Sequence, residues 1–172
     1  MIPIGALPLL LFPAGLLAAA IKDVTSFTIP NWIPAALMLG FLPAALLAGA
    51  PLGLIGADAA TGAVALIAGI GLFATRCCGG GDAKLIAAAA LWLGCPAVIP
   101  FLTWTAVAGG LMALMLVIAR RTALAAAAER GPEWLGRIVV GRDLPYGLAI
   151  AAGGLAAFPH SGLAMLAGLH LG

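Results

Sequence analysis

The sequence predicts an all-α polytopic membrane protein with about six transmembrane helices. The chain has 172 residues, of which 64% are hydrophobic and only 8% are charged. A water-soluble domain carries roughly 25% charged residues, so this chain lacks the polar side chains needed to cover itself in water. Its apolar residues also fall into runs close to the roughly 20 residues that cross a bilayer. The net charge of +2 is too small to suggest nucleic acid as a partner, and the expected surroundings are the lipid bilayer.

Six apolar runs follow one another along the chain, and we interpret each as a span. They cover residues 4–21, 32–50, 54–75, 85–95, 101–119 and the stretch from residue 145 towards the C-terminus. The first run has no basic residue before it and is interrupted by Pro8 and Pro13, so it is interpreted as a retained span rather than a signal peptide. Pro96 and Pro100 separate the fourth run from the fifth.

The distribution of cations predicts the orientation of these spans. All eight lie in alternate connections: Lys22 in the first, Arg76 and Lys84 in the third, and five arginines in the fifth, residues 120–144. Lysine and arginine residues that flank spans are retained on the cytoplasmic side. The prediction is therefore a single transmembrane domain, residues 1–172, with both termini outside and a cytoplasmic connection over 120–144.

A glycine-rich polar stretch between the third and fourth runs is the strongest candidate for a functional site. Residues 76–84, RCCGGGDAK, concentrate polar atoms between two apolar runs, where function is expected in a membrane protein. Consecutive glycines let the backbone leave helical geometry and pass close to another group, and they precede Asp82. Asp23 is the other acid that flanks an apolar run within a polar cluster. Both acids fall on the predicted cytoplasmic face, so the chain can bring them together.

Two carboxylates at one membrane level suit acid/base hydrolysis of a peptide bond. Close carboxylates share one proton and titrate as a unit, so that one activates water while the other protonates the leaving group. Spacing alone leaves an alternative, in which each acid is a solvated helix-end residue paired with Lys22 or Lys84. A small proton- or cation-coupled transporter, with Asp23 and Asp82 binding the cation at a broken helix, is a second alternative. A non-catalytic membrane assembly factor is a third.

The other ionisable residues are given non-catalytic interpretations. Asp58, near the outer end of the third run, is expected to be an interfacial residue facing water. Glu129 and Glu133 lie in the polar connection and are expected to be solvated.

Cysteine and histidine spacing does not predict a metal site. Cys77 and Cys78 are adjacent and Cys95 is alone, so they form neither a CxxC zinc pair nor a disulfide framework. His160 and His170 have no third ligand in view. No metal and no cofactor are expected.

Three motifs, in order along the chain, resemble those of type IV prepilin peptidases. Residues 79–85, GGGDAKL, resemble the GxGD motif, with its trailing lysine, of these and related intramembrane aspartic proteases. Asp23 followed by residues 29–31, IPN, resembles the first aspartate motif of the family. Residues 144–154, LPYGLAIAAGG, are similar to the sixth-span signature of its short members. The resemblance covers nearly the whole chain and implies a GxGD intramembrane aspartic protease-like bundle.

The resemblance implies roles for individual residues. Asp23 and Asp82 would be catalytic, Gly79 and Gly81 would shape the backbone, and Lys84 would be a candidate for positioning. The implied substrate is a type IV prepilin, whose short basic leader ends in glycine and precedes a hydrophobic helix. Cleavage would occur at the cytoplasmic boundary of the bacterial inner membrane.

Departures from the larger family members narrow the expected branch. Those members carry a cytoplasmic amino-terminal region with paired CxxC zinc motifs and an N-methyltransferase activity. This sequence begins directly with an apolar run and contains no CxxC. It resembles the short, CpaA-like branch that serves tight-adherence (Flp) pili, and methylation by this chain is not expected.

Overall fold

The computed structural model is helical in all of its regular segments among the residues that it describes. These are residues 4–76, 78–122, 130, 131, 136, 138, 139 and 144–168, with side chains described from residue 7. A 3-10 helix, Ile4–Leu10, precedes five main helices: α1 Leu11–Ser26, α2 Trp32–Leu47, α3 Leu52–Ala74, α4 Gly80–Arg120 and α5 Tyr146–Ala157. A second 3-10 helix, Phe158–His160, then leads into a short α6, Gly162–Leu166. The all-α prediction is confirmed.

Three of the helical segments are long and apolar enough to cross a membrane. They are Leu7–Ser26, Leu52–Ala74 and Gly80–Arg120, and Trp32–Leu47 is a shorter apolar helix. The predicted bounds hold closely for α3. They are wrong for the first span, which continues to Ser26 and so includes Asp23. The sixth begins at Tyr146 as predicted, and its first helix, α5, ends after 12 residues.

Helix α4 is folded back on itself. Its 41 residues would form a rod of about 60 Å, twice the hydrocarbon thickness of a bilayer. Gly94 interrupts it with φ 66° and ψ 174°, a left-handed φ that glycine adopts without steric cost. Asp82 and Thr105, which a straight helix would place about 35 Å apart, line the same cavity. We call residues 80–93 the first arm of α4 and residues 95–120 the second arm.

The break between these arms lies at Gly94 and not at Pro96 or Pro100, from which a break was predicted. Pro96 lies in the first turn of the second arm, where a missing backbone N–H removes no helical hydrogen bond. The two arms correspond to the fourth and fifth predicted spans. Together with α1, α2, α3 and α5 they make six apolar helical segments among the described residues, in the predicted order.

The core of the bundle lies where the first arm meets α1 and α2. Trp92, fully buried, stacks on Phe12 with ring centroids 5.6 Å apart and meets Phe41 edge-on at 5.9 Å. Its indole N–H donates to the Leu37 carbonyl oxygen at 2.8 Å, so its one polar atom is satisfied. Four buried alanines, residues 87–90, let neighbouring helices approach this arm closely.

The polar connection between α4 and α5 falls largely outside the described residues. Glu129 and Glu133, predicted to be solvated, are among the residues not described, and so is Cys77. Arg120 donates from Nε to the Val139 carbonyl oxygen at 2.9 Å, and Val139 packs with Leu116. Part of the connection therefore lies against the end of the second arm.

Candidate active site

Asp23 lies in the last turn of α1 and is held by α5. Its side chain is only 6% exposed, and its Oδ2 accepts a hydrogen bond of 2.6 Å from the backbone N–H of Gly147. A methyl group at Gly147 would lie 2.9 Å from both Cβ and Oδ2 of Asp23, so only glycine permits this approach. Helix α1 ends four residues later at Phe27, whose left-handed φ of 53° turns the chain towards α2.

Asp82 lies in the first turn of α4 and is partly exposed. The carboxylate of Asp82 lies beside the backbone of Gly79, the N-cap residue of α4. A carboxylate in the first turn is also favoured by the helix dipole. A methyl group at Gly79 would lie 2.8 Å from Asp82 Oδ2, so glycine at this position leaves room for the carboxylate.

The two carboxylates lie close enough for their charges to interact. The loop between α1 and α2 contributes Ile29, which lies beside Gly81, next to Asp82, and beside Gly147, which contacts Asp23. A methyl group at Gly81 would lie 3.1 Å from Ile29 Cβ, and one at Gly147 would lie 3.0 Å from Ile29 Cδ1. Ile29 thus lies between the start of α4 and the start of α5.

A cavity of about 840 Å³ opens beside Asp82. Its lining includes Arg76, Thr105 and Tyr146 from three different parts of the chain. Asp23 is buried next to this cavity's wall and is not part of its lining. Asp23 is thus held in place by a hydrogen bond, whereas Asp82 can be reached by an incoming molecule.

The contacts of these residues in the structure differ from the ion pairs considered above as an alternative, Asp23 with Lys22 and Asp82 with Lys84. Lys84 donates from Nζ to Asn31 Oδ1 at 2.8 Å, and the carboxylate of Asp23 accepts from Gly147. The first contact ties the α1–α2 loop to α4, two residues beyond Asp82. Lys84 is therefore placed to position the loop that carries Ile29, a contact that the sequence did not predict.

The backbone of the glycine stretch agrees only in part with the prediction. None of its three glycines, Gly79, Gly80 and Gly81, has a positive φ. Gly79 is extended with φ −68° and ψ 145°, and the next two already belong to α4. The expectation that they free the backbone from helical geometry is wrong for Gly80 and Gly81, whereas Gly79 is extended as the N-cap residue. Close approach is what the structure shows, to the Asp82 carboxylate at Gly79 and to Ile29 at Gly81.

The prediction that Asp58 faces water is also wrong. Its side chain is 1% exposed, and its Oδ2 has no hydrogen-bond partner among the residues that the structure describes. Asp58 packs against Gly94, where an added methyl group would collide with its Oδ1. The reversal of α4 covers this residue, and a pattern of apolar runs gives no sign of such a contact.

Comparison with known proteins bears on the activity of this site. The model of a family described as the type IV leader peptidase family matches residues 10–114, more than half of the chain. The match includes Asp23 and Asp82 and ends before Gly147. Neither a search of curated proteins nor a search of solved structures found a match. The family match favours a peptidase over the coupled transporter.

Proposed function

Because the chain belongs to the type IV leader peptidase family, we propose that it is a membrane-embedded aspartic endopeptidase that removes the leader from type IV prepilins. Asp23 and Asp82 are the proposed catalytic pair. The observation that carries the proposal is that these two carboxylates, from helices distant in sequence, lie close enough to interact electrostatically, beside a cavity that Asp82 lines.

The geometry supports a division of labour between the acids. In the reactive state one carboxyl is protonated and the other ionised, because two adjacent charges repel. The ionised group accepts a proton from water, whose oxygen attacks the carbonyl carbon of the scissile bond. The protonated group then gives its proton to the departing nitrogen as the C–N bond breaks. The leader gains a carboxylate and the mature pilin gains an amino terminus.

The proposed substrate is a prepilin with a short basic leader ending in glycine, followed by a hydrophobic helix. Similarity of residues 144–154 to the sixth-span signature of short family members supports the tight-adherence branch. The proposed location is the bacterial inner membrane, with both termini outside and the catalytic pair near the cytoplasmic face. Residues 1–172 are proposed to form one peptidase domain, with a cytoplasmic connection over 120–144.

The direct test is cleavage by the purified protein in lipid nanodiscs. A tight-adherence prepilin and a prepilin of another pilus class are incubated with it, and mass spectrometry identifies the new termini. We expect cleavage after the glycine that ends the leader, faster for the tight-adherence prepilin. If neither prepilin is cut by folded protein, the proposed function is wrong; equal rates would reject only the branch.

Orientation is tested separately, in a background without native cysteines. A cysteine at Gly53, in the first turn of α3, should react with an impermeant maleimide added to intact cells. A cysteine at Glu129 should react only after the cells are opened. Labelling of Glu129 from outside would contradict the cytoplasmic position of the connection and of the catalytic pair.

A further inference from the structure

A second, almost wholly apolar cavity of about 610 Å³ runs along α3 between the two arms of α4. One face of α3, from Ala60 to Leu72, forms its floor, which is about 18 Å long. None of the described residues that line it is charged. We call this cavity the α3 groove.

The α3 groove adjoins the candidate active site. Leu72, Cys78 and Ile86 line both cavities. From these shared residues the groove leads away from Asp82 towards Cys95, just beyond the break in α4. A chain bound across the carboxylate pair thus has an apolar path that begins at the cavity wall.

We propose that the α3 groove binds the hydrophobic helix of the substrate, the segment that follows the scissile bond; this inference rests on the proposed peptidase function. Small residues such as Ala65, Ala68 and Gly69 line the groove and let a helix approach α3 closely. The absence of charge among the described lining residues matches an apolar helix and not a basic leader. Lipid chains can cover any apolar surface. A cleaved peptide, in contrast, needs a binding site that adjoins the cavity at Asp82, as the α3 groove does.

The length of the groove also predicts how the substrate helix is positioned along it. Asp82 and Gly94 lie at the two ends of the first arm, about 18 Å apart along a helix. A substrate helix that starts at the scissile bond therefore needs about 12 residues to reach the level of Cys95. Binding at this site contributes affinity remote from the reacting bond.

The first test fills the groove. Ala68 is exposed and lines the groove, whereas Ala63 is exposed on α3 and does not. Ala68→Trp should raise KM for a full-length prepilin about tenfold or more and leave cleavage of a short peptide spanning the junction unchanged. Ala63→Trp should change neither. If wild-type protein cuts prepilin and Ala68→Trp does so with the same KM, the groove assignment is overturned while the peptidase function stands.

The second test needs no bulky substitution. In a Cys77→Ser, Cys78→Ser background, Cys95 remains as the only cysteine of the sequence. Single cysteines are introduced into the prepilin, 8 to 16 residues after the scissile bond. Each prepilin is bound to the inactive Asp82→Asn variant, and disulfide formation with Cys95 is measured. Cross-linking should peak about 12 residues along and repeat with helical period. Uniformly weak cross-linking would indicate lipid in the groove, and a Cys95–Cys95 dimer that excludes substrate would indicate a second copy; either result overturns the inference.

Discussion

Two buried aspartates lie at opposite ends of the first arm of α4, and each packs against a glycine of another segment. Asp23 meets Gly147 at the start of α5, and Asp58 meets Gly94 at the break in α4. Asp23 accepts a backbone hydrogen bond and lies near a second carboxylate. Asp58 has an unpartnered Oδ2 and lines neither the cavity at Asp82 nor the α3 groove. Burial is common to both, so what distinguishes the end at Asp23 is the second carboxylate, Asp82, and the cavity that gives access to it.

The largest expected difference between the two ends concerns cleavage. Asp23→Asn and Asp82→Asn should each lower kcat for prepilin on the order of 10³-fold, because each removes one half of the acid/base cycle. The double variant should be no worse than either single one, since the two residues act as a unit. Asp58→Asn should keep its activity per folded molecule. Substantial cleavage by either single variant, in protein shown to be folded, would reject the aspartic mechanism.

The pH dependence of cleavage should also depend on Asp23 and Asp82 and not on Asp58. At low pH both carboxyls are protonated and no base remains; at high pH both are ionised and no acid remains. Activity should therefore fall on both sides of an optimum. Asp58→Asn should leave both limbs of the profile in place, and a displaced limb in that variant would show that the distant aspartate is coupled to the catalytic pair.

Adding one methyl group to the glycine at each end sharpens the comparison. Gly147→Ala pushes against Cβ and Oδ2 of Asp23, and a displacement of about 1 Å at a catalytic group can cost roughly 10² in rate. We expect a loss of that order in kcat with little change in KM. Gly110→Ala is the matched control, because an added methyl group there meets nothing within 4 Å. Equal activity of the two variants would show that the contact with Asp23 is dispensable.

Gly94→Ala should act on stability instead. Its φ of 66° is strained for alanine, and the added methyl group collides with Asp58. We expect about 1–3 kcal/mol of destabilisation, measured by denaturation in detergent, with unchanged cleavage per folded molecule. Gly49→Ala separates the two causes, because its φ is 76° but nothing lies within 4 Å. If both variants lose equal stability, the contact with Asp58 contributes nothing.

The smallest expected effect concerns Lys84 and Asn31. An exposed hydrogen bond contributes about 0.5–1.5 kcal/mol, so Lys84→Met and Asn31→Ala should each lower kcat several-fold. The double variant should lose no more than either single one, because both remove the same contact. Additive losses would mean that Lys84 acts on the catalytic pair by a route other than Asn31.

Sequence alone could predict the helical spans and the pairing of Asp23 with Asp82, because apolar run length and charge placement are local properties. It could not predict the contact between Asp23 and Gly147, which depends on how α5 docks; the only sign was the signature around residues 144–154. Nor could it predict that Asp58 is buried. That outcome depends on the reversal at Gly94 and not at Pro96, which lies in the first turn of the second arm, where a helix tolerates proline.

The helices of this bundle differ in length, and that difference has a consequence for the surrounding membrane. The first arm of α4 and α5, with 14 and 12 residues, extend about 21 and 18 Å, against a hydrocarbon core of about 30 Å. Segments shorter than the core are accommodated by local thinning of the bilayer. Where the bilayer thins beside them, headgroups and water would lie closer to the cavity at Asp82, from which hydrolysis of a membrane-bound peptide would take its water.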